Sequence, residues 1–239
     1  MRDIEELVKN KEKYKDALIQ KRFDSKKNTV VYVTIDNKPR ILKWYVPGLK
    51  RNMEMEYSVL TKGFPKISIP SPLEKDEENN VIIMSYITGK NLCDVINDPS
   101  TSINQKKKIV CMLADWFATF HEHFKTDDGF RIRGDPSLRN FIIKDGIWGV
   151  DFEESRIGKP VEDVAGLCAS ILSTDPMFTN EKFQLCRTFL DAYRKSAKWS
   201  IDKINDEIGY ALLGRIQWRP EEEEDLRKHA KNIRKNGLR

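Results

Sequence analysis

The spacing of apolar residues changes several times along the chain. Between residues 3 and 18 they stand at Ile4, Leu7, Val8 and Leu18 among charges, which predicts an exposed amphipathic helix. Residues 29–35 are β-branched and aromatic, residues 36–39 are turn chemistry, and residues 40–46 read as a second strand, so the two form a hairpin. Pro47 and Gly48 break the pattern, and a helix is predicted from about Lys50 to Lys62 with Gly63 as its stop. The prolines within residues 67–73 allow an extended segment but not a central strand. Residues 81–87 form a strand that runs into Thr88 and Gly89.

After Gly89 the period becomes helical. Residues 103–124 carry one apolar face through Ile109, Val110, Leu113, Phe117 and Phe120. A loop-rich stretch at 127–139 interrupts it, and two short strands at 141–143 and 148–150 follow, joined through Asp145-Gly146, a strong hairpin signal. From Val161 onward the pattern is that of several helices. Strands first and helices afterwards predict an α+β chain of two lobes, residues 1–86 and 87–239.

Composition narrows the classes. The 239 residues hold 42 Lys+Arg against 37 Asp+Glu, and 39% are hydrophobic, enough for a true core. The net +5 is small for this length, which argues against a nucleic-acid coat protein. No run approaches a membrane span, and Asp3, Glu5 and Glu6 stand where a signal peptide turns apolar, so a cytoplasmic protein is expected. Cys93, Cys111, Cys168 and Cys186 form no C-x-x-C pair, and with only three histidines a zinc site is not expected. Cys111, Cys168 and Cys186 read as buried thiols, and Trp199 and Trp218 as packing residues.

Three pieces carry chemistry together. Asp135 and Asn140 stand five apart just before the strand at 141–143; Asp151 follows its hairpin partner; Lys43 ends a strand and Glu56 lies on the next helix. The tight hairpin sets Asn140 and Asp151 at one end, with Asp135 beside them. Carboxylates and an amide oxygen suit a hard cation such as Mg²⁺, and a lysine held by a glutamate neutralises phosphate charge. These are parts of a phosphoryl-transfer site, where positioning and charge stabilisation carry the catalysis.

With these residues in place, the sequence resembles the protein-kinase-like superfamily, in the compact branch that includes aminoglycoside and choline phosphotransferases, RIO kinases and other small atypical kinases. The resemblance runs from about residue 20 to 195 through Ile41-Leu42-Lys43, Glu56-Tyr57-Ser58-Val59-Leu60, Ile69-Pro70-Ser71-Pro72, Ile83 to Gly89, Gly134-Asp135-x4-Asn140, Val150-Asp151-Phe152-Glu153 and Val161-Glu162-Asp163. It implies a bilobal fold, with ATP and Mg²⁺ or Mn²⁺ as cofactors and a hydroxyl acceptor. In its terms Asp135 accepts the hydroxyl proton, Asn140 and Asp151 hold the metal, Lys43 meets the α- and β-phosphates, and Glu56, rather than Glu54, holds Lys43. Asp163 braces the catalytic loop; Ser85, Tyr86 and Ile87 connect the lobes and pair with adenine, with Met84 just inside.

The sequence departs from that pattern in several places. The turn at 24–29 that would cover the phosphates has no glycine; Ser25 would donate a hydroxyl there, and Lys26 and Lys27 would add charge. Arg133 replaces the usual histidine before the Gly-Asp pair, where it would brace Asp151 or Asp163 or face the acceptor, and Glu153 stands where protein kinases have glycine. Only a short stretch separates Asp151 from Asp163, so the usual peptide-docking platform is absent. The resemblance implies an atypical serine/threonine protein kinase, with a small-molecule kinase and a nucleotide-binding scaffold or ATPase as the alternatives. At the C-terminus, acids at 221–225 precede six Lys/Arg in 227–239, an order that suits the helix macrodipole; the alternative is a docking tail for RNA or an acidic partner.

Overall fold

The computed structural model describes residues 4–23, 25 and 27–239; residues 1–3, Asp24 and Lys26, invoked above, lie outside them. The chain divides into two compact units: Met1–Thr88 with Asp151–Glu154, and Gly89–Val150 with Ser155–Arg239.

The first unit runs α1 (Ile4–Asn10), a 3-10 turn at Glu12–Tyr14, β1 (Leu18–Phe23), β2 (Thr29–Ile35), β3 (Lys38–Trp44), α2 (Lys50–Gly63), β4 (Pro72–Asp76) and β5 (Val81–Ser85). The five strands form one antiparallel sheet in the order β1-β2-β3-β5-β4. Asp36 and Asn37 turn the β2-β3 hairpin with φ of 50° and 58°, a left-handed pair whose twist matches that of the strands.

The N-terminus differs from the exposed helix predicted to Leu18. The helix ends at Asn10, and Ile4, Leu7 and Val8 are buried in one cluster with Val31, Val33, Leu42 and Trp44 of the sheet. Residues 18–23 instead form an edge strand. Most of its side chains stay in solvent, Leu18 being 63% exposed, so no apolar alternation marks it in the sequence. The Tyr14 hydroxyl pins this arm by donating to buried Asp76, which also accepts from Asn79 N at 3.1 Å and Asn79 Nδ2 at 2.9 Å.

The second unit runs β6 (Lys90–Asn91), α3 (Leu92–Asn97), α4 (Ile103–His123), β7 (Lys125–Thr126), β8 (Gly129–Ile132), a 3-10 turn at Leu138–Asn140, β9 (Phe141–Ile143), β10 (Ile147–Gly149), β11 (Arg156–Gly158), α5 (Pro160–Leu172), α6 (Asn180–Ser196), α7 (Ile204–Gly214) and α8 (Glu223–Asn236). Two three-stranded ribbons form, β10-β9-β6 and β11-β8-β7, and the stretch 127–139 expected to be loop holds strand β8, paired with β7 and β11. A capping box starts α4: Ser102 Oγ accepts from Gln105 N at 3.3 Å, and Gln105 Oε1 accepts from Ser102 N at 3.1 Å. The core gathers Phe117 and Phe120 of α4, Phe141 of β9 and Phe189 of α6, all fully buried, each contributing about 2–3 kcal/mol by burial.

Cys168 and Cys186 are buried free thiols, whereas Cys111 is only half-buried. Trp199 donates to Tyr193 Oη at 3.0 Å, but Trp218 is 60% exposed and is no core residue. The acidic-to-basic C-terminal segment is helix α8, with Glu223, Glu224 and Asp225 in its first turn and Arg234 and Lys235 in its last. Among the described residues no helix is long and apolar enough to cross a membrane.

Candidate active site

The first unit holds a buried charged centre. Lys43 sits on β3, flanked by Val30 of β2 and Ile82 of β5, a central position that keeps its ammonium out of water. That ammonium meets three carboxylates: Glu56 Oε2 at 2.6 Å, Asp151 Oδ1 at 2.6 Å and Glu153 Oε2 at 2.9 Å. Its three N–H donors therefore match three acceptors. Burial works against the charge on Lys43, but Glu56 and Asp151 outweigh it and hold the ammonium protonated well above the usual lysine range. Glu56, 1% exposed on α2, also accepts from the Tyr45 hydroxyl and, through Oε1, from Phe152 N at 3.2 Å. Glu54 lies on another face of α2 and meets Lys75 at 2.9 Å instead.

The segment Asp151–Glu154 belongs to this unit by its bonds. Asn28 Nδ2 donates to Glu153, Asn52 Nδ2 donates to Glu153 O at 3.2 Å, and Lys27 pairs with Glu154. Burial, reinforced by Asp151, pushes the Glu153 carboxyl up against the opposing pull of Lys43. Asp151 has φ of +64°, a left-handed conformation that aspartate tolerates better than most residues. Carboxylate oxygens of Glu56, Asp151 and Glu153 lie within 4.8 Å of one another, and three such donors around one ammonium are the chemistry a hard cation takes.

The second unit presents the Gly134-Asp135-x4-Asn140 loop. Its start is clamped by Asp163, 1% exposed in the first turn of α5. One carboxylate oxygen accepts from Arg133 N at 2.7 Å and the other from Gly134 N at 3.1 Å. His121 of α4 adds Nε2 at 3.0 Å from Asp163 and Nδ1 at 2.8 Å from Tyr193 Oη. With the proton on Nε2 facing the carboxylate, Nδ1 accepts from Tyr193, which accepts in turn from Trp199. The loop thus leaves Asp135 exposed on a fixed backbone. Asn140 Nδ2 donates to Asp135 Oδ2 and to Asp135 O, both at 3.1 Å, so its amide oxygen is left as an acceptor.

Arg133 meets Asp163 through its backbone. Its buried side chain donates to Val150 O at 2.7 Å and stacks on Phe141 and Trp116, with centroid distances of 4.7 and 5.4 Å. The buried histidine bond to the clamp comes from His121, outside the loop altogether.

The remaining candidates lie in the first unit. Met84 is buried on β5 opposite Ile41 and Pro72. Ser85 N donates to Ser71 O at 3.0 Å and Ser85 Oγ accepts from Ser71 N at 2.9 Å. Tyr86 stacks on Tyr32 with centroids 4.5 Å apart, and Ile87 is buried. Ser25 is exposed, and its Oγ accepts from Asn28 N at 3.4 Å. Sequence reasoning noted Glu153 only as a substitution and missed Asn28, Tyr45, Asn52 and His121. Ordinary spacing marks none of these four.

No protein-family profile matches the chain, and no curated protein matches it by sequence. Solved structures do match. Choline kinase LicA from Streptococcus pneumoniae is 18% identical, with 98% of each chain covered and a TM-score of 0.61. A Ralstonia eutropha JMP134 protein assigned as an aminoglycoside phosphotransferase is 11% identical over 93% of this chain and 91% of its own, again with a TM-score of 0.61. The kinase PK-1 of Cydia pomonella granulovirus is 17% identical over 65% of this chain and 60% of its own, at 0.50. The chain therefore has the protein-kinase-like fold.

Proposed function

We propose that the protein is an ATP-dependent phosphotransferase that moves the γ-phosphoryl group to a hydroxyl, with a serine or threonine side chain as the first acceptor to test. The observation that carries this reading is Lys43 held by Glu56, Asp151 and Glu153 in one buried centre. Lys43 is the group that would meet the α- and β-phosphates, and Glu56 keeps it extended towards them. Asp151 and Asn140 would hold Mg²⁺ or Mn²⁺, with Glu153 as a further carboxylate donor; bound there, the cation would offset phosphate charge. Asp135 orients the acceptor hydroxyl and takes its proton as the oxygen attacks the γ-phosphorus and the bond to the β-phosphate oxygen breaks, with ADP leaving. Because the Ser85 amide is engaged by Ser71, hydrogen bonding to adenine falls to the backbone of Tyr86 and Ile87, with Met84 as the apolar floor. The Ser25 hydroxyl would donate to the phosphates from its turn.

The test is transfer from γ-labelled ATP with Mg²⁺ or Mn²⁺, alone and with protein and alcohol acceptors. Label on an acceptor is the expected result, and Asp135→Asn abolishes it while nucleotide binding persists. Phosphate release without labelling would replace the reading with an ATPase. A thermal shift with ATP and neither product would leave a nucleotide-binding scaffold.

A further inference from the structure

Arg215 is a charged group that the proposed chemistry does not use. It follows directly on α7, and its Nη2 reaches Gly166 O of α5 at 3.4 Å. At Gly166 the helix packs against the catalytic loop so closely that a Cβ there would stand 2.6 Å from Pro136 Cγ. Pro136 is the residue after Asp135. Two contacts within one unit therefore bring the guanidinium to the neighbourhood of the proton-accepting aspartate, whose charge acts on it.

The guanidinium is under-used where it stands. It carries five donors, yet its one hydrogen bond is long, and among the described residues no carboxylate lies within 4.0 Å of it. Arg219, one turn on, is different: it donates to Ser173 O at 2.6 Å and pairs with Glu222. Burial and the adjacent Arg219 push Arg215 down to about 10, against the pull of Asp135 and Glu222. A half-buried guanidinium crowded by a second cation and lacking an ion-pair partner is stabilised by an anion, which it can grip with two donors at once.

We propose that Arg215 is a specificity-determining residue that binds an anionic group carried by the acceptor, so that the substrate is an alcohol bearing a phosphate or carboxylate near the reacting hydroxyl. This rests on the phosphotransferase reading above. It separates the protein from an enzyme for a cationic alcohol such as choline, whose quaternary ammonium an arginine repels. The anion has two sources, a small phosphorylated alcohol or a serine among acidic residues, and the shared chemistry is an anion held a few ångströms from the hydroxyl.

The full chain is assayed for transfer from γ-labelled ATP to glycerol 3-phosphate and to a serine peptide flanked by glutamates, against choline and the same peptide flanked by lysines. Calorimetry measures binding of glycerol 3-phosphate and of the acidic peptide without nucleotide. We expect an anionic acceptor to exceed its cationic counterpart by about tenfold or more in kcat/KM. Arg215→Gln should raise KM for that acceptor by about tenfold with kcat nearly unchanged, and Arg215→Lys should recover part of the loss. A purely structural role would instead lower the unfolding midpoint of both variants and leave KM alone. Preference for choline or the basic peptide, or an unchanged KM in Arg215→Gln, overturns the inference and leaves the phosphotransferase reading standing. Anion binding that needs Arg215, without transfer to any acceptor, overturns that reading and keeps the anion site. If no anionic probe binds or accepts phosphate, the inference is wrong.

Discussion

The two units each bury a carboxylate centre, and the two are built in opposite ways. In the sheet unit one ammonium serves three carboxylates, so negative charge is in surplus, and Asp151 is 42% exposed in its side chain with a left-handed backbone. In the helical unit one carboxylate, Asp163, serves two backbone amides and an imidazole, and every partner is buried or part-buried. The first arrangement has its hydrogen bonds made but carries surplus negative charge that reaches solvent at Asp151; the second is enclosed. Surplus charge near solvent marks a centre that binds, and full satisfaction marks one that holds shape.

That contrast breaks most sharply at Lys43. Lys43→Met should lower phosphoryl transfer by about 10³-fold, since it removes the positive group proposed to meet the phosphates. Transfer within a few fold of wild type would mean that the sheet-unit centre is only structural. Asp163→Ala should act through stability instead. It leaves the amides of Arg133 and Gly134 without their acceptor, at about 1–3 kcal/mol each, read as a lower urea midpoint. An unchanged midpoint with lost activity would reverse the roles assigned to the two centres.

Acid should loosen the sheet unit at a carboxylate outside both centres. Burial alone would raise the Asp76 value, but Tyr14, Asn79 and Lys13 outweigh it and hold it at about 2, below the ordinary 3.8. The group therefore binds fewer protons folded than unfolded. Its contribution, about 1–2 kcal/mol, is whole above roughly pH 4 and drains as pH falls towards 2. Asp76→Asn should flatten the acid limb of the stability curve, and a limb identical to wild type would remove Asp76 as its source. The smallest effect is expected at Ser102→Ala, where loss of the α4 cap costs about 1 kcal/mol in the denaturation midpoint and leaves transfer unchanged.

Legibility followed locality. The β2-β3 hairpin, α2, α4 and the β9-β10 hairpin were visible because their signals lie within a few residues: a turn pair, a stop glycine, a helical period, an Asp-Gly. Edge strand β1 was not, because its exposed side chains leave no alternation. Lys43, Glu56, Asp135, Asn140 and Asp151 could be named from residue types at fixed offsets. Glu153 as a third partner of Lys43 could not, nor could Asn28 and Asn52, which reach it across 125 and 101 residues. The same holds for His121, which meets Asp163 from a separate helix, and for Arg215, whose relation to Asp135 passes through Gly166.

By itself, then, the sequence determined the fold class and offered a list of candidate groups for phosphate, metal and a proton, because period and short-range spacing are written in consecutive residues. Only the tertiary structure decided which of those groups share a centre and which are already satisfied. It returned Asp151–Glu154 to the sheet unit and set a histidine, a tyrosine and a tryptophan in line behind one aspartate. Pairings of that kind depend on the direction of whole elements, which no local pattern encodes.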